Sequence, residues 1–271
     1  MRRWLAWERR AGGRMWRFIL RVHAGWVYLA GSERAVQARP AELYQRPCLP
    51  LLLAALGWGV FSGLVWQLVN VISWRYLHEY TAPAAAVAAL TFLFPLRPAA
   101  MELSTLLLGR RRFVRLGGLV VLAGLYWLLL RQSWRYHHDY ANWLPPRWDW
   151  LWPMETYRLL VLAPLWGAWG IVVLGQFYRP SAQTDRATAS LAGRLHPLAV
   201  AACLLAPLAA SLACLRFLGP CHLVPPAAAL AAIFGGGSLL AVFRPPLRRA
   251  VLLSTGLLAQ LAFLAAYVAV R

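Results

Sequence analysis

Seven stretches of the chain run almost free of polar side chains, near residues 51–73, 84–108, 116–132, 159–178, 196–217, 226–243 and 250–270. A helix needs roughly 20 apolar residues to cross the hydrocarbon core of a bilayer. These stretches therefore predict an all-α fold, a polytopic integral membrane helical bundle of about seven spans. The third and sixth stretches are short, and the second carries Arg97 and Glu102, so six is the other count. The first 46 residues do not read as a signal peptide, because arginines are spread through them and no cleavage site follows a short apolar core.

The N-terminal segment has its own pattern. Trp4, Trp7, Trp16, Phe18, Ile19, Val22, Trp26 and Leu29 alternate with Arg3, Arg9, Arg10, Arg14, Arg17 and Arg21. Tryptophan and arginine at helical spacing predict an amphipathic helix lying in the membrane interface, with rings among the headgroups and guanidinium groups on anionic lipid. Gly12-Gly13 is expected to break it in two. The organisation that follows is an interfacial arm over 1–46 and a transmembrane domain over 47–271.

Composition sharpens this picture. Of 271 residues, 61% are hydrophobic and only 14% charged, where a soluble domain carries about 25% charged residues. A soluble enzyme is nearly excluded. The 28 basic residues are all arginine and face 9 acidic ones, for a formal charge of +19. In a soluble chain that excess points to nucleic acid, but in a polytopic one it marks the cytoplasmic loops. Sorted by loop, 20 arginines fall on the side of the N-terminus and seven on the other, leaving Arg97 within a span. The N-terminus is thus expected in the cytoplasm of a bacterium, with the bundle in the inner membrane and no nucleic-acid partner. Cys48, Cys203, Cys214 and Cys221 form no CxxC pair, and a disulfide framework is not expected.

An internal repeat is also visible. Residues 73–80 read Ser-Trp-Arg-Tyr-Leu-His-Glu-Tyr and residues 133–140 read Ser-Trp-Arg-Tyr-His-His-Asp-Tyr. At an offset of 60, segments 56–80 and 116–140 share 10 identities in 25. A fainter third copy begins at Leu215-Arg216-Phe217-Leu218. The unit is read as a helical hairpin, in tandem over about 51–110, 111–180 and 193–249, with a final helix at 250–270. The second helix of each copy carries breaking residues: Phe94-Pro95 with Pro98, Pro164 with Gly167, and Gly235-Gly236-Gly237. Such residues free backbone polar groups inside the bilayer, and transporters build midplane sites from broken, repeat-related helices. A plain packing kink is the other reading.

Two clusters could carry chemistry. Arg97 and Glu102 lie in an otherwise apolar stretch, where a charge costs about 2.5–3.5 kcal/mol and usually meets a partner or a wet cavity. Either a bend at Pro98 pairs them, or the span ends near Leu96 and both sit at an interface or in a re-entrant turn. They are the candidate substrate-binding residues. Arg75, His78, Glu79, Arg135, His137, His138, Asp139 and His222 fall on the opposite, outer face. That set fits a metal or a bis-histidine haem, although no HExxH, CxxC or HxH spacing fixes one. Solvated helix ends are the simpler reading. The tryptophan-rich segment from Trp143 to Tyr157 is expected to lie flat in an aromatic belt. There is no Walker P-loop, GxGxxG or GxSxG motif, so no enzyme is expected and any ATP hydrolysis falls to another chain.

Two resemblances add to this. Gly59-Val60-Phe61-Ser62-Gly63, Leu106-Leu107-Leu108-Gly109-Arg110 and the last helix after Leu247-Arg248-Arg249 resemble the permease subunits of Mla/Mce-type lipid ABC transporters. That resemblance implies a homodimer moving lipid, driven by a cytoplasmic ATPase subunit. Arg111-Arg112-Phe113 stands where the family has an acidic, glycine-rich continuation. Separately, Trp150-Leu151-Trp152-Pro153-Met154-Glu155-Thr156-Tyr157 is similar to a run in tryptophan-rich haem-handling proteins of cytochrome c maturation, which implies His78 and His222 as axial ligands of haem. The reading favoured by the sequence is a permease-like transport subunit for a lipidic or amphipathic substrate, touching membrane lipid and assembling as a homodimer or larger complex. A haem or metal handler and a non-transporting membrane scaffold are the alternatives.

Overall fold

The structure, a computed structural model, describes residues 14–73, 81–93, 95–109, 112–133, 155–177, 181, 183–192, 196–243 and 248–271. Among them every regular element is helical. Arg75, His78, Glu79, Arg135, His137, His138, Asp139 and most of the tryptophan-rich segment lie outside the described residues, as do the first thirteen.

Helix α1 (Arg14–Ala30) comes first. It buries Leu20, Ala24 and Tyr28, one stripe at a spacing of four, while Met15, Phe18 and Ile19 stay exposed. A short helix α2 (Glu33–Gln37) starts on Ser32, whose hydroxyl accepts the Ala35 N–H at 3.3 Å. After a 3-10 turn at Ala41–Tyr44, the chain enters α3 (Cys48–Ser73). Trp26 of α1 meets Trp58 of α3 edge to face, with centroids 5.4 Å apart.

Among the described residues, six helices are long and apolar enough to cross a membrane. They are α3, the helix α6 (Arg112–Ser133), α7 (Glu155–Phe177), α9 (Pro197–Leu215), the segment Leu218–Phe243 and α12 (Arg249–Val270). Helix α8 (Arg186–Ala192) is a short connector. The segment Leu218–Phe243 contains α10 (Val224–Ala231), a π-helical turn at Ala232–Gly237 and α11 (Ser238–Phe243). The centre is α7, with 89% of its span buried, against 22% for α6 and α9 at the periphery.

Between α3 and α6 stand two shorter helices, α4 (Thr81–Leu93) and α5 (Arg97–Leu108), inclined at 73° to one another. Proline chemistry accounts for the break. Pro95 has no N–H to give the carbonyl of Thr91 and its ring crowds that oxygen. The Leu96 N–H reaches the Thr91 carbonyl instead, at 2.9 Å, and the next helix restarts with Ala100 N–H on the Leu96 carbonyl at 2.8 Å. Pro98 then sits in the first turn of α5, where its missing N–H costs nothing. The second expected interruption is not one: α7 continues through Pro164. The third is a π-helical turn over the glycines rather than a break.

Pro164 still leaves its mark, since it withholds an N–H from the Leu160 carbonyl. Gly59 of α3 packs onto that carbonyl so closely that a Cβ there would lie 2.7 Å from the oxygen. On its other side α7 meets α12 through Gly167 and Gly256, where a Cβ on Gly167 would lie 2.9 Å from the Gly256 carbonyl. Small residues let apolar helices approach to backbone contact where no hydrophobic force drives them together. Indole N–H groups supply polar fastening, with Trp166 donating to Ser211 Oγ at 2.9 Å and Trp169 to the Val200 carbonyl at 3.1 Å. At the repeat-equivalent positions Ser73 and Ser133, each helix ends on a buried serine whose hydroxyl donates to the carbonyl three residues back.

The glycine contact gives a stability test. Gly167→Val forces α7 and α12 apart and is expected to cost about 1–3 kcal/mol, as overpacking does. Gly124→Val, where nothing lies within 4 Å of the added Cβ, is expected to be near neutral. Thermal unfolding of the two variants in one detergent measures the difference.

Candidate functional site

The turn after α1, the start of α5, the start of α6, the loop before α8 and the start of α12 surround an open cleft of about 650 Å³. Its charged lining is four arginines, Arg97, Arg115, Arg248 and Arg249, against Glu33, Glu102 and Asp185.

Arg97 and Glu102 both line this cleft, so the 73° bend carries them out of the apolar stretch to the level of the loops. The bend does not pair them. Glu102 faces Arg115 of the next helix, with Oε1 and Nη2 3.8 Å apart and both side chains more than a third exposed. An exposed pair of that geometry is worth no more than about 1 kcal/mol. Arg97 is exposed and has no hydrogen-bond or ion-pair partner among the described residues. Arg248, also exposed, stands at the N-cap of α12 without a side-chain cap bond.

The fourth arginine behaves differently. Arg249 is only 8% exposed. Its Nε donates to the Tyr28 carbonyl at 3.0 Å, and Nη2 donates to the same oxygen and to the Gly31 carbonyl at 2.8 Å. These are carbonyls at the end of α1, which the helix itself leaves without N–H partners and where the helix dipole favours a cation. The guanidinium also lies 5.4 Å from the centroid of the Tyr28 ring. The Tyr28 hydroxyl is in turn 3.0 Å from Thr188 Oγ1. Asp185 completes the knot: Oδ1 caps α8 through the Thr188 N–H at 2.9 Å, and Oδ2 accepts the Arg249 backbone N–H at 3.4 Å. Burial pushes the phenols of Tyr28 and Tyr44 up, Tyr44 to about 12.

Adjoining the cleft is a second, apolar cavity of about 40 Å³. Its walls include Trp26, Trp58, Ala55, Pro95, Gly167 and Ile171, with Gln260 the one amide side chain among its lining residues. Ala30 and Leu253 line both spaces.

Of the residues expected on the outer face only His222 is described. It lies in the 3-10 turn Arg216–Leu223, and its Nδ1 donates to the Gly219 carbonyl. Among the described residues no group of three or more His, Cys, Asp or Glu is placed to hold a metal ion. The sequence reading missed Arg115, Arg248, Arg249 and Asp185 as site residues. One signal was legible: Asp185-x-x-Thr188 has the spacing of an N-cap.

The fold and this site define an all-helical bundle of membrane-span-like helices with a charged cleft over an apolar cavity. No family model, curated protein or solved structure matches the chain.

Arg249→Met should strand the Tyr28 and Gly31 carbonyls and loosen α1, at a cost of about 2–5 kcal/mol. Hydrogen exchange over residues 14–31 is expected to rise, while exchange in α9 stays unchanged. Alkali acts on the same knot from the tyrosine side. A phenol raised by folding adds stability below its unfolded pKa of about 10, and that stability is lost as pH climbs through the folded value. Exchange over α1 should therefore accelerate between pH 10 and about 12, and less so in Tyr44→Phe.

Proposed function

We propose that the protein is a permease-like membrane subunit that accommodates a lipidic or amphipathic substrate. The observation that carries this is the α4–α5 break, which lines two unlike spaces at once. Pro95, Leu96 and Ala99 face the apolar cavity, whereas Leu93, Arg97 and Glu102 face the charged cleft. An amphiphile suits that pairing, with its head in the polar cleft and the first part of its chain against the apolar pocket. A broken helix at that junction supplies irregular backbone where it lines a cavity rather than lipid.

On this reading the arginine-rich end faces the cytoplasm of a bacterial inner membrane, as positive-inside bias directs. The first helix then lies along that surface, and the cleft opens where a cytoplasmic ATPase subunit would dock. The resemblance to lipid-transporter permeases supports the same assignment and implies a homodimer.

The test is affinity purification in mild detergent, with mass spectrometry of bound lipid and of partner proteins. The wild-type chain is expected to retain an acyl-chain amphiphile, and to bring an ATPase subunit with it. Ala55→Phe, which grows into the apolar cavity, is expected to lose most of the retained amphiphile while melting within a few degrees of wild type. A chain that emerges free of amphiphile, or whose bound lipid ignores Ala55→Phe, sinks the proposal.

A further inference from the structure

We infer that the cleft at the arginine-rich end is an oxyanion site of the phosphate class, with Arg97 and Arg248 as its two recognition cations. Pairing within the cleft leads to this assignment. Of its four arginines, Arg115 faces Glu102, and Arg249 is committed to the carbonyls of Tyr28 and Gly31 with Asp185 beside it. The third acid, Glu33, is engaged only by the neutral amide of Gln37, Nε2 at 3.3 Å, so it keeps its charge and the lining is net positive by one. That leaves Arg97 and Arg248, at the starts of two different helices that line one concave space, with no ion-pair or hydrogen-bond partner among the described residues.

Local electrostatics deepen the imbalance. Arg97 opens α5, which has no acidic residue in its first turn and no side-chain cap, whereas the first N–H of α12 already meets Asp185 Oδ2. The positive dipole end of α5 therefore adds to Arg97. Guanidinium groups are permanently charged and offer forked donors, which suit the several oxygens of a phosphate better than a single carboxylate oxygen. The shared chemistry is a phosphate group, carried either by a lipid headgroup or by free phosphate. For the lipid headgroup, the inference rests on the permease reading, which puts the acyl chain in the adjoining cavity. Anion capture by the two arginines does not depend on it.

The experiment uses the full chain in a non-ionic detergent with three probes: inorganic phosphate, dihexanoyl phosphatidic acid and uncharged dihexanoylglycerol. Titration calorimetry is expected to show saturable binding of phosphatidic acid or phosphate and none of dihexanoylglycerol. Arg97→Gln and Arg248→Gln should each weaken that binding about tenfold, as loss of a charge-assisted hydrogen bond does. Arg97→Lys should recover part of it. Arg131→Gln, in which the arginine stacked on Trp127 far along α6 is removed, should bind as wild type. Competition by inorganic phosphate assigns the site to free phosphate; binding of phosphatidic acid that phosphate cannot displace assigns it to a headgroup. Absence of binding to both anions, or a double variant Arg97→Gln/Arg248→Gln that binds like wild type, overturns the inference. The two proposals separate cleanly. Anion binding that vanishes in the double variant but ignores Ala55→Phe keeps the site and removes the permease reading, and the opposite pattern does the reverse.

Discussion

A single buried arginine ties the two ends of this chain together. Arg249 starts the last helix, yet its guanidinium is spent on the carbonyls of Tyr28 and Gly31, more than 200 residues earlier. Those carbonyls belong to a helix end, where four oxygens lack intrahelical donors and the dipole is negative. The donors of an arginine buried there are therefore satisfied by backbone carbonyls, with the Asp185 carboxylate beside it. Because α1 is held down, its Tyr28 is fixed against Thr188, and the turn that follows becomes one wall of the charged cleft. The roof of the candidate site thus depends on one residue that takes no further part in it.

The second constraint is the pair of prolines, Pro95 and Pro98. A helix crossing an apolar bundle satisfies its own backbone, so a change of direction needs a residue that cannot do so. Here the loss at Pro95 is absorbed locally by the Leu96 N–H, and α5 begins afresh at an angle of 73°. The bend separates apolar from charged surroundings within a few residues. Ala99 faces the cavity while Arg97 and Glu102 face the cleft. Around it, α3, α7 and α12 form the rigid part, drawn close by Gly59 on the Leu160 carbonyl and by Gly167 on Gly256.

Much of the fold was legible because transfer free energy is local and additive: an apolar run of sufficient length identifies a span whatever lies beside it. Five of the six apolar helices fall within a few residues of predicted stretches, the segment Leu218–Phe243 starts well before the stretch expected at 226–243, and the remaining stretch coincides with the bent pair α4–α5. The site was legible only in part. Arg97 and Glu102 stood out as charges in an apolar run, but hydropathy carries no direction, so their level in the bundle waited on the bend. Glu102 takes its partner from α6, across a chain reversal that residue spacing does not encode. Arg249 was counted as one more loop arginine, since a buried and an exposed guanidinium read alike in sequence.

By itself the sequence determined an all-helical chain of span-length apolar segments, and which of its loops collect arginine. Both follow from properties that each residue brings with it, apolar area and fixed charge. Tertiary structure decided which of those arginines are satisfied and which are left over. Satisfaction depends on distance to groups remote in the chain: a helix-end carbonyl for Arg249, a carboxylate on the neighbouring helix for Arg115, and no partner among the described residues for Arg97 and Arg248. The +19 excess is therefore a property of composition, whereas the two arginines that face one cleft without a direct partner among the described residues are a property of the fold.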